Sequence, residues 1–231
     1  YMMSPAELIS LRHVGGGFDQ RFSLLETISS VSNTSEQHTP LYFVLLNIWI
    51  SLTGTSPSTM RMFSLLVGTL TVAIGYRFTS DLLSRRVALW MAIGLSSSVF
   101  LIFYMNVVRM YSLLPFLVIV LYWIYWRIMS HNTSWQHWLT LYLVSVGLMY
   151  THYFGIFALL GIGAYHITRF KWENRKWWYV VGMMLLVGTS FLPWIPVFVE
   201  GIATRKSLED SSQSFLELMS TLFDIYNVSF G

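Results

Sequence analysis

An all-α polytopic membrane protein with about six transmembrane helices is the fold the sequence predicts, and three observations predict it. Of the 231 residues, 55% are hydrophobic and 11% charged, and the mean hydropathy is +0.56. Lys, Arg, Asp and Glu are absent between Arg86 and Arg109, between Arg109 and Arg127, between Arg127 and Arg169, and between Lys176 and Glu200. A hydrocarbon core of roughly 30 Å takes about 20 apolar residues to cross as a helix, and these gaps supply or approach that length. Third, Trp123, Tyr125, Trp126, Trp135, Trp138, Trp172, Trp177 and Trp178 gather at the ends of apolar runs, as an interfacial aromatic belt does.

The same composition excludes several classes. A sequence pI near 9.2 follows from basic loops beside membrane spans and implies no nucleic-acid partner. With no cysteine there are no disulfides and no thiolate metal sites. Proton pumps and ion-coupled transporters need ionisable groups near the membrane midplane, where this sequence has none.

Residues 1–40 hold Glu7, Asp19, Glu26 and Glu36, the run Gly15-Gly16-Gly17, and amphipathic stretches near 5–12 and 22–31. They read as an extramembrane loop with short surface helices. The apolar run 41–53 ends at Gly54 and would reach only about 20 Å as a helix, so it is expected to lie in the interface rather than span. Six spans follow within 60–199, at 60–80, 87–107, 110–129, 135–151, 153–168 and 177–198. The fourth and fifth meet at Thr151-His152-Tyr153-Phe154-Gly155, a tight hairpin at a membrane face. Gly161 and Gly163 are expected to give the fifth a small packing face. Residues 200–231 form a juxtamembrane segment. Opening at Tyr1 with no leading apolar helix, the chain reads as a piece of a longer protein.

Charge orients the spans. With 41–53 not crossing, Arg77, Arg85, Arg86, Arg127, Arg169, Lys171, Arg175 and Lys176 share one side with only Asp81 and Glu173. The other side holds Arg12, Arg21, Arg61, Arg109, Arg205 and Lys206 with the remaining nine acidic residues. The Lys and Arg excess in short loops makes the first side cytoplasmic. The loop 1–40, His38, Arg61, Arg109, His152 and 200–231 are then extracytoplasmic.

Arg109 and Arg61 each have two readings, a snorkelling interface arginine or a guanidinium that binds an anionic group with paired donors. His38 and His152 are either neutral interface histidines or ligands of a shared metal, if they converge. His152 and His166 have the spacing of two haem ligands on one helix, but no second helix offers partner histidines. Arg77, Asp81 and Arg85, four apart, are expected to form a surface ion-pair ladder.

Taken in order, Glu7, His38-Thr39-Pro40-Leu41-Tyr42-Phe43, Arg61, Tyr104 through Arg109-Met110-Tyr111, Thr151-His152-Tyr153-Phe154 and Pro193-Trp194 resemble a known motif series. It is that of polytopic glycosyltransferases of the GT-C fold, in the bacterial branch related to protein O-mannosyltransferases and the lipid A aminoarabinose transferase. The resemblance runs over nearly the whole chain. Where the family has Asp-Glu in its first loop this sequence has Ala6-Glu7, with Asp19-Gln20 as a second register. Thr39 replaces a proline, and Val107 stands at the family's glutamate.

The resemblance implies an inverting transfer of a sugar from a polyprenyl-phosphate donor to a hydroxyl of a glycan, lipid or protein acceptor. It would occur at the extracytoplasmic face of the bacterial inner membrane. It gives Glu7 the role of base, with Asp19 as substitute, and makes Arg109, assisted by Arg61, the phosphate binder. His38, Tyr42, Tyr111 and His152 would line the site. No cofactor is fixed, and a divalent metal is left open. With Ala6 in place of the aspartate, a non-catalytic lipid-linked-sugar binder or assembly subunit is the alternative, and a transporter the less favoured third reading.

Overall fold

A computed structural model describes residues 39–131, 134–170 and 172–200, together with Ile28. Glu7, Asp19 and His38 lie outside the described residues, as does nearly all of the loop and juxtamembrane segment expected at 1–40 and 200–231. Residues 1–192 and 193–231 form two compact units, and the helices below belong to the first.

Among the described residues the regular structure is helical. α1 is Leu41–Thr53, α2 Pro57–Leu82, α3 Arg85–Ser96 and α4 Val99–Met105. A 3-10 turn, Met110–Ser112, leads into α5, Leu113–Ser130. α6 is Trp135–Thr151, α7 Gly155–Thr168 and α8 Arg175–Phe191. Pro57–Leu82, Met110–Ser130 and Arg175–Glu200 are long and apolar enough to cross a membrane, and the bent pair α3 and α4 makes a fourth candidate. α7, with 14 residues, reaches about 21 Å.

α5 is the centre of the bundle. It packs against α2, α6, α7 and α8, and its buried residues Leu113, Leu117, Leu121, Ile124 and Ile128 recur every three or four positions. That spacing puts them on one side of the helix, which is the stripe a core-facing helix needs.

α1 turns back at Gly54, whose φ of 99° is easily held by a residue without Cβ, and runs antiparallel to α2. Trp49 Nε1 donates to the Thr59 carbonyl at 2.8 Å, and Tyr42 shares a 2.8 Å hydrogen bond with Ser64 Oγ. Leu41 Cδ2 reaches across to α6, 3.3 Å from where a β-carbon on Gly147 would stand. α1 is therefore clamped between α2 and α6.

Three expectations need correction. The span expected over 87–107 is two helices bent by 58°. The run Ser96-Ser97-Ser98 breaks it: Ser97 Oγ bonds back to the Ile93 and Gly94 carbonyls, and Ser98, in extended conformation, caps Leu101 N. Serine side chains compete with the helical ladder, and three in succession end it. Close packing at glycine occurs in α2, where Gly68 meets Met105 of α4 and Gly75 meets Leu95 of α3, and the expectation for the fifth span holds for one of its two glycines. In α7, Gly161 faces the Tyr122 hydroxyl, whereas Gly163 faces open space. The ion-pair ladder stops at one pair, Arg77 Nε to Asp81 Oδ1 at 3.3 Å. α2 ends at Leu82, so Arg85 belongs to the next helix, and the second Asp81 oxygen accepts from Trp123 Nε1 at 3.2 Å instead.

Candidate functional site

The site is built where α4 gives way to α5. α4 ends at Asn106, whose side-chain amide donates to the Ile102 carbonyl at 2.8 Å. Arg109 is extended, with φ −145° and ψ 153°, and its carbonyl accepts from both Ser112 N and Ser112 Oγ. Met110 is buried, so the backbone is pinned between α2 and α5 with Arg109 and Tyr111 flanking the anchored residue. Arg109 itself is half-buried.

Tyr111 sits within a row of rings. Its centroid is 4.7 Å from Tyr104 and 5.2 Å from His152. Tyr104 continues to Phe100 at 4.6 Å, and His152 to Phe154 at 4.6 Å and on to Phe157 at 6.1 Å. Such separations give edge and offset contacts, each worth about 0.5–1.5 kcal/mol beyond buried area. Phe100, Phe154 and Phe157 are exposed, so the row presents an aromatic strip across α4, the 3-10 turn and α7.

His152 is held by the hairpin that the sequence predicts at Thr151–Gly155. It caps α6 in extended conformation, and its Nδ1 accepts from the Phe154 N–H at 3.0 Å. An amide N–H can only donate, so Nδ1 is unprotonated and the imidazole proton is on Nε2. Gly155 N donates to the His152 carbonyl at 2.8 Å, and a β-carbon on Gly155 would lie 2.5 Å from the Leu148 carbonyl oxygen. The turn closes only because that position is glycine.

Tyr42 is fully buried, and burial pushes its phenol pKa up, an effect only partly opposed by the Ser64 hydrogen bond. It fastens α1 to α2 as a neutral phenol. Arg61 is exposed on α2, seven residues before Gly68. Seven residues are nearly two turns, so Arg61 shares a helix face with the Gly68 position on which Met105 packs. Ser64, Gly68, Met105, Met110, Gly147 and His152 thus lie at one end of the bundle, with Arg61 and Arg109. At the opposite end are Arg77, Arg127, Arg169 and Lys176.

The exposed ends of the aromatic strip, Phe100 and Phe157, had no signal in the sequence, because their spacing matches any lipid-facing helix. Thr39 was seen only as a departure from proline. It is fully buried, and its hydroxyl has no hydrogen-bond partner among the described residues. An unsatisfied buried hydroxyl costs about 1–3 kcal/mol, so Thr39→Val, of the same shape, raises the thermal unfolding midpoint. A lowered midpoint would show that the hydroxyl is bonded. No group of three or more His, Cys, Asp or Glu able to hold a metal occurs among the described residues.

A comparison with family models decides the assignment. Residues 37–195, more than half of the chain, match the model for dolichyl-phosphate-mannose-protein mannosyltransferases. The chain belongs to this family. It is an integral membrane glycosyltransferase of the GT-C type, mannosyltransferase-like in class. The family match takes in Arg61, Arg109, Tyr111 and His152, while Glu7 and Asp19 precede it. No curated protein and no solved structure matches the chain.

Proposed function

We propose that this glycosyltransferase moves a sugar from a polyprenyl-phosphate donor to an acceptor hydroxyl, with inversion, on the extracytoplasmic face of a bacterial inner membrane. The observation that carries the reading is the Tyr104–Tyr111–His152 row at one end of the bundle, with Arg109 at the start of the 3-10 turn that carries Tyr111. A lipid-linked sugar phosphate needs a cation for its phosphate and an apolar, ring-lined surface for its lipid and sugar. This end offers both.

In this reading Arg109, assisted by Arg61, stabilises the charge that grows on the departing phosphate, an effect that is large in a site shielded from water. Glu7, or Asp19 in its place, removes the proton from the acceptor hydroxyl as it attacks the anomeric carbon. Attack opposite the leaving phosphate inverts that carbon. Tyr111 and His152 orient the donor. Tyr42 acts through packing, by holding the start of α1 against α2, and His38 lines the site. The 1–40 loop covers the site, 41–53 lies in the interface, 60–199 forms a six-helix module, and 200–231 returns to the extracytoplasmic side. The concentration of Lys and Arg at the other end supports that orientation.

The test is transfer of labelled sugar from a panel of polyprenyl-phosphate donors by the full-length protein in membranes. Glu7→Gln is expected to abolish transfer without changing membrane insertion, and the product anomer is expected to be inverted. Transfer that persists in Glu7→Gln and disappears in Asp19→Asn moves the base to Asp19. Donor binding with no turnover from any donor favours the non-catalytic reading, which Ala6 at the family's aspartate position motivates.

A further inference from the structure

At the end of the bundle away from Arg109, α5 packs against both α2 and α7, and a cleft of about 540 Å³ lies between them. That volume is within the range of small-molecule sites. Tyr122, Tyr125 and Trp126 of α5 form its floor, and Phe78 of α2 and Ile162 and Tyr165 of α7 its walls. Arg169, which caps the end of α7, and Asn174, which caps the start of α8, complete the lining at its mouth.

The hydroxyls on the floor are already engaged. Tyr122 donates to the Ala158 carbonyl at 3.3 Å, and the Tyr125 hydroxyl is bonded to His166 Nδ1 at 2.8 Å. The floor therefore offers ring faces and aliphatic carbon to an occupant, with the Tyr165 and Ser130 hydroxyls elsewhere in the lining. The mouth is the reverse. Asn174 Oδ1 accepts from Lys176 N, which leaves its amide hydrogens to donate. Arg169 is exposed and lies 5.9 Å over the Tyr165 ring, and no carboxylate pairs with it among the described residues. Lys176, by contrast, is occupied with the Ile128 and His131 carbonyls. An apolar trough with guanidinium and amide donors at its open end is complementary to an amphiphile with an anionic head.

We propose that this cleft holds one phospholipid with an anionic headgroup, drawn from the leaflet at the basic end of the bundle. Its phosphate sits on Arg169 and Asn174, and one acyl chain runs along α5 between α2 and α7. Basic residues at a membrane surface attract anionic lipid, and here one of them opens onto a chain-sized groove. The site is separate from the transfer reaction and does not depend on it.

The test is native mass spectrometry of the delipidated full-length protein titrated with phosphatidylglycerol and, separately, with phosphatidylcholine of the same chains. One phosphatidylglycerol is expected to bind preferentially. Arg169→Gln is expected to weaken it about tenfold, as loss of a charge-assisted contact does, while Arg127→Gln, which stacks on Trp123 outside the cleft, leaves it unchanged. Ile162→Phe, which narrows the trough, is expected to lower occupancy by both lipids. Equal losses in the two arginine variants would mean unspecific attraction and overturn the proposal. So would equal binding of the two lipids, or no binding because another segment of the protein fills the cleft.

Discussion

Arg109→Gln lowers sugar transfer by at least about a hundredfold, the effect of removing one preorganised group that stabilises charge at the reacting centre. The backbone that carries Arg109 is fixed by two hydrogen bonds to its carbonyl and by the burial of Met110. The side chain therefore leaves a fixed backbone position two residues before Tyr111, whose ring lies 5.2 Å from His152. Arg109→Lys keeps the charge and loses the planar pair of donors, so its transfer is expected to fall between wild type and the glutamine variant. Arg61→Gln, exposed one helix away, is expected to have the smaller effect. Initial rates with a lipid-linked donor, in membranes matched for inserted protein, check all three.

Gly155→Ala is the substitution with the largest expected effect on the fold. The new methyl would stand 2.5 Å from the Leu148 carbonyl oxygen, and backbone cannot swing aside as a side chain does. Overpacking costs about 1–3 kcal/mol, and contact with main chain places this case at the upper end. Relief requires α7 to move away from the end of α6. That breaks the Gly155 N–H bond to the His152 carbonyl and the Phe154 N–H bond to His152 Nδ1, and His152 leaves Tyr111. The thermal midpoint and the transfer rate are expected to fall together. Gly163→Ala, in the same helix but facing open space, is expected to change neither beyond about 0.5 kcal/mol. Comparable losses in the two variants would remove the special role of the hairpin.

The membrane fold and one part of the candidate site's frame, the hairpin at Thr151–Gly155, were legible because both rest on local signals. Charge-free stretches announce the helices, but in α5, apolar almost throughout, the buried face of Leu113, Leu117, Leu121, Ile124 and Ile128 shows only in the structure. The Thr151-His152-Tyr153-Phe154-Gly155 turn shows itself by its abrupt junction of two short apolar runs. What was hidden depends on partners distant in the chain. Hydropathy averages over Ser96-Ser97-Ser98, so it cannot see the bend between α3 and α4. Gly161 and Gly163 look alike in sequence, and only the neighbouring Tyr122 separates them. Tyr42 carries a motif position yet is enclosed by α2, and the aromatic row unites α4, α6 and α7. The basic-end cleft is assembled from α2, α5 and α7, and no single stretch encodes it. The carboxylate assignments, Glu7 and Asp19, rest on the resemblance to the family's first loop, since both lie outside the described residues.

The most direct test of the central claim is the rate of sugar transfer from polyprenyl-phosphate donors by the full-length protein in membranes, with Arg109→Gln and Glu7→Gln measured beside wild type. The predicted result is transfer from at least one donor, lost in Glu7→Gln and at least about a hundredfold lower in Arg109→Gln, with insertion the same in all three. Wild-type transfer in Arg109→Gln would contradict a site built around that guanidinium and the Tyr111–His152 row.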